Sequence, residues 1–218
     1  MHSVLLASIL DPQTLLEKGG LALAAIIIFA ESGLLIGFFL PGDSLLFITG
    51  FLTSLSKAES VATGVPRVGY PLPVVLLVLF LAAVAGDQVG YLFGNRVGPT
   101  LFKREDSRLF KQSHVTKAQA FFDKHGPKAI VLARFVPVVR TFTPILAGVS
   151  KMKYKTFVTF NLIGGALWAV GITLLGYFLG QVSWIKNNID LAAIVIVALS
   201  LVPVALELIK HRRSRSHA

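Results

Sequence analysis

The stretch ARFVPVVRTFTP, Ala133 to Pro144, places two arginines, Arg134 and Arg140, inside one of the most apolar parts of a very apolar chain. Two prolines and two threonines interrupt the same run. Charge is costly in a bilayer and proline breaks a helix, so the reading of this segment decides the fold. Its surroundings are those of a membrane protein. Hydrophobic residues make up 54% of the 218 and charged residues only 15%, against about 25% charged in a typical soluble domain; mean hydropathy is +0.73. Pro71–Gly94, interrupted by Asp87, Thr156–Gly180, free of charge, and Ile189–Ile209 are each long enough to cross a bilayer, which takes roughly 20 residues.

The distribution of charge orients these spans. Arg96 to Lys128 holds eight Lys/Arg and three Asp/Glu; Lys151, Lys153 and Lys155 form a second basic cluster, and the tail with Lys210, Arg212, Arg213 and Arg215 a third. Basic residues collect on the cytoplasmic side. That explains the formal charge of +10 better than nucleic acid, for which no interleaved aromatic-basic pattern is present. The loops Lys57–Gly69 and Gln181–Asn188 are nearly neutral and are expected outside. Residues 71–94 then run inward, 156–180 outward, and 189–209 return the tail, 210–218, to the cytoplasm.

Ala129–Val149 is left with both flanks inside. It is expected to dip into the membrane and return as a re-entrant hairpin, with Pro137 and Pro144 marking the turn. Leu21–Leu55 reads the same way. Leu21–Leu40 would enter, Pro41-Gly42-Asp43 would stop the helix, and Ser44–Leu55 would return, opening outward. Each hairpin is followed by a crossing that ends in a similar pentapeptide, GYLFG at 90–94 and GYFLG at 176–180. An inverted repeat of broken helices meeting near the midplane, as in many secondary transporters, is the expected architecture. Residues 101–125, basic with phenylalanines at near-helical spacing and stopped by Gly126-Pro127, predict an amphipathic interfacial helix. Residues 10–18, in the N-terminal segment 1–20, predict a shorter counterpart. The fold expected is therefore an all-α polytopic membrane protein with two opposed re-entrant hairpins and about three full spans. Residues 1–20 lack a basic n-region, so a cleaved signal is not expected.

Four ionisable residues fall inside the hairpins: Glu31 and Asp43 in the first, Arg134 and Arg140 in the second. Each costs about 2.5–3.5 kcal/mol at the centre of a bilayer, so they must face one another or water. Two carboxylates against two guanidiniums sum to zero if the hairpins meet tip to tip. The planar guanidinium suits a phosphate or carboxylate, and half-helix N-termini near the prolines add N–H donors for an anion. Asp87, in AGDQVG, is a weaker candidate that could snorkel or cap. Asn161 and Trp168 share a face of the charge-free crossing and are expected to pack or anchor. The five histidines are scattered without ligand spacing and there is no cysteine, so no metal site, disulfide or cofactor is expected. HExxH, GxSxG, P-loop and GxGxxG motifs are absent, and an enzyme is not expected.

FAESGLLIGFFLPGDSLLFITG (29–50), GPKAIVLARFVPVVRTFTPILAGVSKM (126–152) and FNLIGGALW (160–168) resemble the bacterial DedA family, which shares its membrane domain, the VTT domain, with eukaryotic lipid scramblases. The resemblance covers roughly residues 15–182, with the domain itself at 21–182. It implies opposed re-entrant hairpins, a cytoplasmic-membrane location, and lipid movement: return of polyprenyl phosphate such as undecaprenyl phosphate, or transfer of phosphatidylethanolamine. It also implies dependence on two acids, two arginines and the proton gradient. Those positions match Glu31 and Asp43, twelve residues apart, and Arg134 and Arg140, six apart. The expectation is a proton-coupled lipid-phosphate transporter, in which Arg134 and Arg140 bind phosphate and Glu31 and Asp43 hold the arginines and carry the proton. Pro41, Gly42, Pro137 and Pro144 would shape the tips. Membrane lipids and protons are the expected partners, with homo-oligomerisation left open. A phosphatidylethanolamine flippase or scramblase, a proton-coupled exporter of small ions or drugs, and a non-transporting scaffold are the competing readings.

Overall fold

The computed structural model describes residues 12–34, 42–101 and 126–182. Seven helices occupy them: α1 (Pro12–Gly33), α2 (Gly42–Ser54), α3 (Lys57–Thr63), α4 (Leu72–Leu101), α5 (Ala129–Ala133, entered by a 3₁₀ turn at Gly126–Lys128), α6 (Pro137–Val149) and α7 (Tyr154–Leu179). Among the described residues there is no strand. Two helical stretches are long and apolar enough to cross a membrane, Leu72–Val97 in α4 and Tyr154–Leu179. The expected third span at 189–209 lies outside the described residues, as do the tail and all but Leu101 of the segment 101–125.

Local chemistry explains the breaks. Gly20 has φ 56 and ψ −151, a conformation that only glycine reaches readily, and it separates residues 12–19 from the apolar part of α1. Val136 is extended because it precedes Pro137, and Pro137 opens α6 where its missing N–H is not needed. The backbone closes the end of α5 with tight bonds from Arg134 to Val131, Phe135 to Leu132 and Val136 to Ala133. Pro144, expected at the turn, lies instead inside α6. The turn needs one proline; the second removes only the bond its N–H would have made to the carbonyl of Arg140. In the first half α1 ends at Gly33 and α2 begins at Gly42; Pro41 and the expected stop before Gly42 lie outside the described residues. Helix α3 falls in the loop expected at 57–69. A capping box forms it: Ser56 Oγ accepts from the Glu59 N–H at 3.2 Å, and Glu59 accepts from the Ser56 N–H at 2.8 Å.

Packing pairs each half with the other. Gly94 of α4 lies so close to α6 that a Cβ would overlap the Ile145 carbonyl, and Gly90 abuts Pro144. Gly176 of α7 and Gly180, at its C-cap, meet α2 in the same manner, at the Phe47 carbonyl and at Ser54. The two similar pentapeptides are thus equivalent grooves, each receiving the helix that follows the opposite break. Small residues at such crossings let backbones approach, the device by which helices associate in lipid.

Large apolar side chains line much of the described surface, and several charged or polar side chains are buried. Leu77, Leu81, Phe93, Leu167, Leu175 and Phe178 are exposed, whereas Glu31, Asp87, Arg134 and Asn161 are buried. In water this arrangement would be inside out; in a bilayer it is the expected one. The larger apolar core gathers Ile28, Leu45, Leu46, Leu79 and Trp168, and a smaller one gathers Tyr91, Ile130, Ala147 and Phe157.

Candidate functional site

The end of α1 and the starts of α2 and α6 contribute to one buried charge cluster. Glu31 stands in the last turn of α1 and Asp43 in the first turn of α2. Arg140, in the first turn of α6, bridges them: Nη1 donates to Asp43 Oδ1 at 2.6 Å and Nη2 to Glu31 Oε1. The N-termini of α2 and α6 therefore meet here, and each presents the positive end of its dipole. The structure brings together three of the four expected residues, Glu31, Asp43 and Arg140.

The fourth, Arg134, pairs elsewhere. At the C-cap of α5, its Nη2 donates to Asp87 Oδ2 of α4 and, at 2.5 Å, to Asn161 Oδ1 of α7. Asn161 in turn donates to the Val84 carbonyl at 3.2 Å. Gly164 makes room for the arginine, since a Cβ there would come within 2.9 Å of Arg134 Cδ. Asp87 is thus Arg134's counter-ion, not a snorkelling or capping acid. The expected neutral quartet becomes three carboxylates and two guanidiniums, an excess of one negative charge when all five are ionised.

Trp168 joins the two groups. Its Nε1 donates to the same Asp43 Oδ1 at 2.6 Å. Its ring centre lies 4.9 Å from the Arg140 guanidinium carbon and 5.8 Å from that of Arg134, within cation–π range of both. Trp168 and Asn161 are buried, as a packing role requires, but both also carry polar contacts of the cluster. The signal for them was their spacing: seven residues, two helical turns, on one face of a span otherwise free of charge. The signal for Asp87 was its isolation as the single Asp, Glu, Lys or Arg of the span 71–94, which obliges a partner.

Access is uneven. The side chains of Glu31, Arg134, Asp87 and Arg140 are 1%, 6%, 6% and 12% exposed, and that of Asp43 is 47% exposed. Asp43 therefore marks the mouth of the cluster, Arg140 lies behind it, Arg134 is the more buried of the two arginines, and Glu31 is the most buried of all. Buried bonding capacity remains: Arg134 Nε and Arg140 Nε have no protein partner. Among the described residues no group of His, Cys, Asp or Glu is placed to hold a metal ion.

An apolar shell around a salt-bridged interior where broken helices meet defines a class, the helical membrane proteins with charged residues at depth. Comparison narrows the class. The VTT domain matches residues 21–178, and the chain belongs to that family, the DedA proteins. A membrane protein of Mycobacterium tuberculosis is 47% identical over 216 residues, covering 96% of this chain and 90% of that one. Protein DedA of Escherichia coli K12 is 38% identical over 197 residues, 90% of this chain and 85% of its own. The inner membrane protein YqjA of the same strain is 36% identical over 182 residues, 83% and 76%. No solved structure matches the chain. The chain is a bacterial-type membrane protein.

Proposed function

We propose that this protein translocates a polyprenyl phosphate, such as undecaprenyl phosphate, across the bacterial cytoplasmic membrane, driven by the proton gradient and without catalysing a reaction. The observation that carries the reading is Arg140, held by Glu31 and Asp43 where two helix N-termini meet, with its Nε unengaged and Asp43 half exposed beside it. A phosphate arriving at that mouth competes with Asp43 for a guanidinium fork that suits it, and the helix N-termini favour its charge. Arg134 is the inner phosphate site, reached once Arg140 is engaged. A carboxylate released from Arg140 at this depth is stabilised by a proton, which links proton uptake to arrival of the anion. In this reading the two breaks are the tips of re-entrant hairpins opening to opposite faces, the tail is cytoplasmic, and the prenyl chain stays in the bilayer while the head group passes between the tips.

One observation favours a second reading. Three acids facing two arginines suit a head group that also brings a cation, and phosphatidylethanolamine does so.

The experiment is reconstitution into liposomes with labelled polyprenyl phosphate or labelled phosphatidylethanolamine, for wild type and Arg140→Ala, with and without a pH gradient. Movement of the prenyl phosphate by wild type alone, faster with the gradient, is the expected result. Movement of phosphatidylethanolamine alone favours the second reading, and movement of neither lipid refutes both.

A further inference from the structure

Trp168 has more contacts with the charge cluster than packing requires. It lies in a π-helical turn, Ala166–Val170, inside the otherwise α-helical span Tyr154–Leu179. Such turns are rare and are frequent at functional sites. Here the Trp168 side chain is 2% exposed and ends in a single N–H that donates to Asp43 Oδ1. That oxygen accepts two donors at once, Trp168 Nε1 and Arg140 Nη1, each at 2.6 Å. Any anionic oxygen that replaced it would inherit both. The indole face meanwhile lies within reach of both guanidiniums, so a change at one arginine is felt at the ring that touches the other.

We infer that Trp168 is a ligand-handling residue: its N–H holds Asp43 in the empty cluster and passes to a phosphate oxygen when the head group displaces Asp43 from Arg140. The inference rests on the phosphate reading above and deepens it. The recognised chemistry is a terminal phosphate, whose oxygens accept both the guanidinium and the indole donor. An uncharged alcohol of the same prenyl length offers no comparable acceptor. The ring lies within reach of both the outer arginine and the inner one; its face attracts the guanidiniums, and only its N–H edge is offered to the phosphate.

The chain has two tryptophans, Trp168 and Trp184, so Trp184→Phe leaves Trp168 as the sole indole reporter. This variant, purified in detergent, is titrated with a short-chain prenyl phosphate and with the matching alcohol. Emission is followed, and bound lipid is measured separately by equilibrium dialysis of radiolabelled ligand. The expected result is a saturable shift of Trp168 emission with the phosphate and none with the alcohol. Adding Trp168→Phe, which keeps an aromatic ring but removes the N–H, weakens binding about tenfold, as loss of a hydrogen bond to a charged group does. If the parent binds the phosphate by dialysis while Trp168 emission stays unchanged, the inference falls and the transport reading survives. Equal binding by a folded Trp168→Phe protein has the same meaning. If the parent binds no prenyl phosphate at all, the transport reading fails and takes the inference with it.

Discussion

Gly42 lies flat against the carboxylate of Glu31, and a single methyl group at Gly42 would overlap its oxygens. The glycine that begins α2 therefore sets how closely the acid of α1 approaches Arg140. Gly42→Ala is expected to push Glu31 off Arg140 and to depress lipid transport as far as Glu31→Gln does. Overpacking of this kind costs about 1–3 kcal/mol, readable as a lowered Tm in detergent. Transport at the wild-type level in Gly42→Ala would show that the Glu31–Arg140 contact is dispensable.

Arg140 reaches two acids with the two arms of its fork. A lysine keeps the charge but presents one compact ammonium in place of the planar pair. Arg140→Lys is expected to retain the fold and lose most transport in the liposome assay. A variant with more than half the wild-type rate would mean that charge alone is required there.

Asp87 and Arg134 are both buried. Removing one partner of a buried pair costs about 3–5 kcal/mol because the other charge is stranded, whereas replacing both by apolar groups is far milder. Asp87→Ala is expected to lower the unfolding midpoint sharply, and Asp87→Ala with Arg134→Met to recover much of that loss without restoring transport. Full additivity of the two substitutions would argue against the pair.

Gly176 and Gly171 make an internal control within α7. A Cβ at Gly176 would overlap the Phe47 carbonyl, while one at Gly171 meets nothing within 4 Å. Gly176→Ala is expected to destabilise, and Gly171→Ala to be neutral or stabilising by up to about 1 kcal/mol through helix propensity. Thermal unfolding of the two purified variants compares them directly.

Much of the fold was legible because membrane physics is strict. Apolar length marked α4, despite Asp87, and α7, and Pro137 marked the start of α6. The inward arginines announced a buried cluster because charge at depth must find a partner. Pairing was less legible. Glu31 and Asp43 competed for two arginines of identical chemistry, and only the packing of α5 against α7 sends Arg134 to Asn161 and Asp87. Pro144 misled for a physical reason: proline signals a lost backbone bond, which a helix held between neighbours tolerates. Helix α3 was missed, its stretch reading as a loop, although SKAE, Ser56 to Glu59, carries the capping-box signal of Ser and Glu three apart. Trp168 was the hardest, since no apolar pattern announces a π-turn.

The exchange of grooves between the halves bears on how such a chain can be divided. Residues 12–101 alone would carry Gly90 and Gly94 with no Pro144 or Ile145 to receive, and α2 with no Gly176 to cover Phe47. Neither half is expected to be a self-sufficient folding unit, because each supplies a wall that the other lacks. Two copies of one half, clasped head to tail, could in principle supply those walls to each other. A gene cut between the halves is therefore expected to yield two unstable pieces when expressed singly and one assembled protein when they are expressed together.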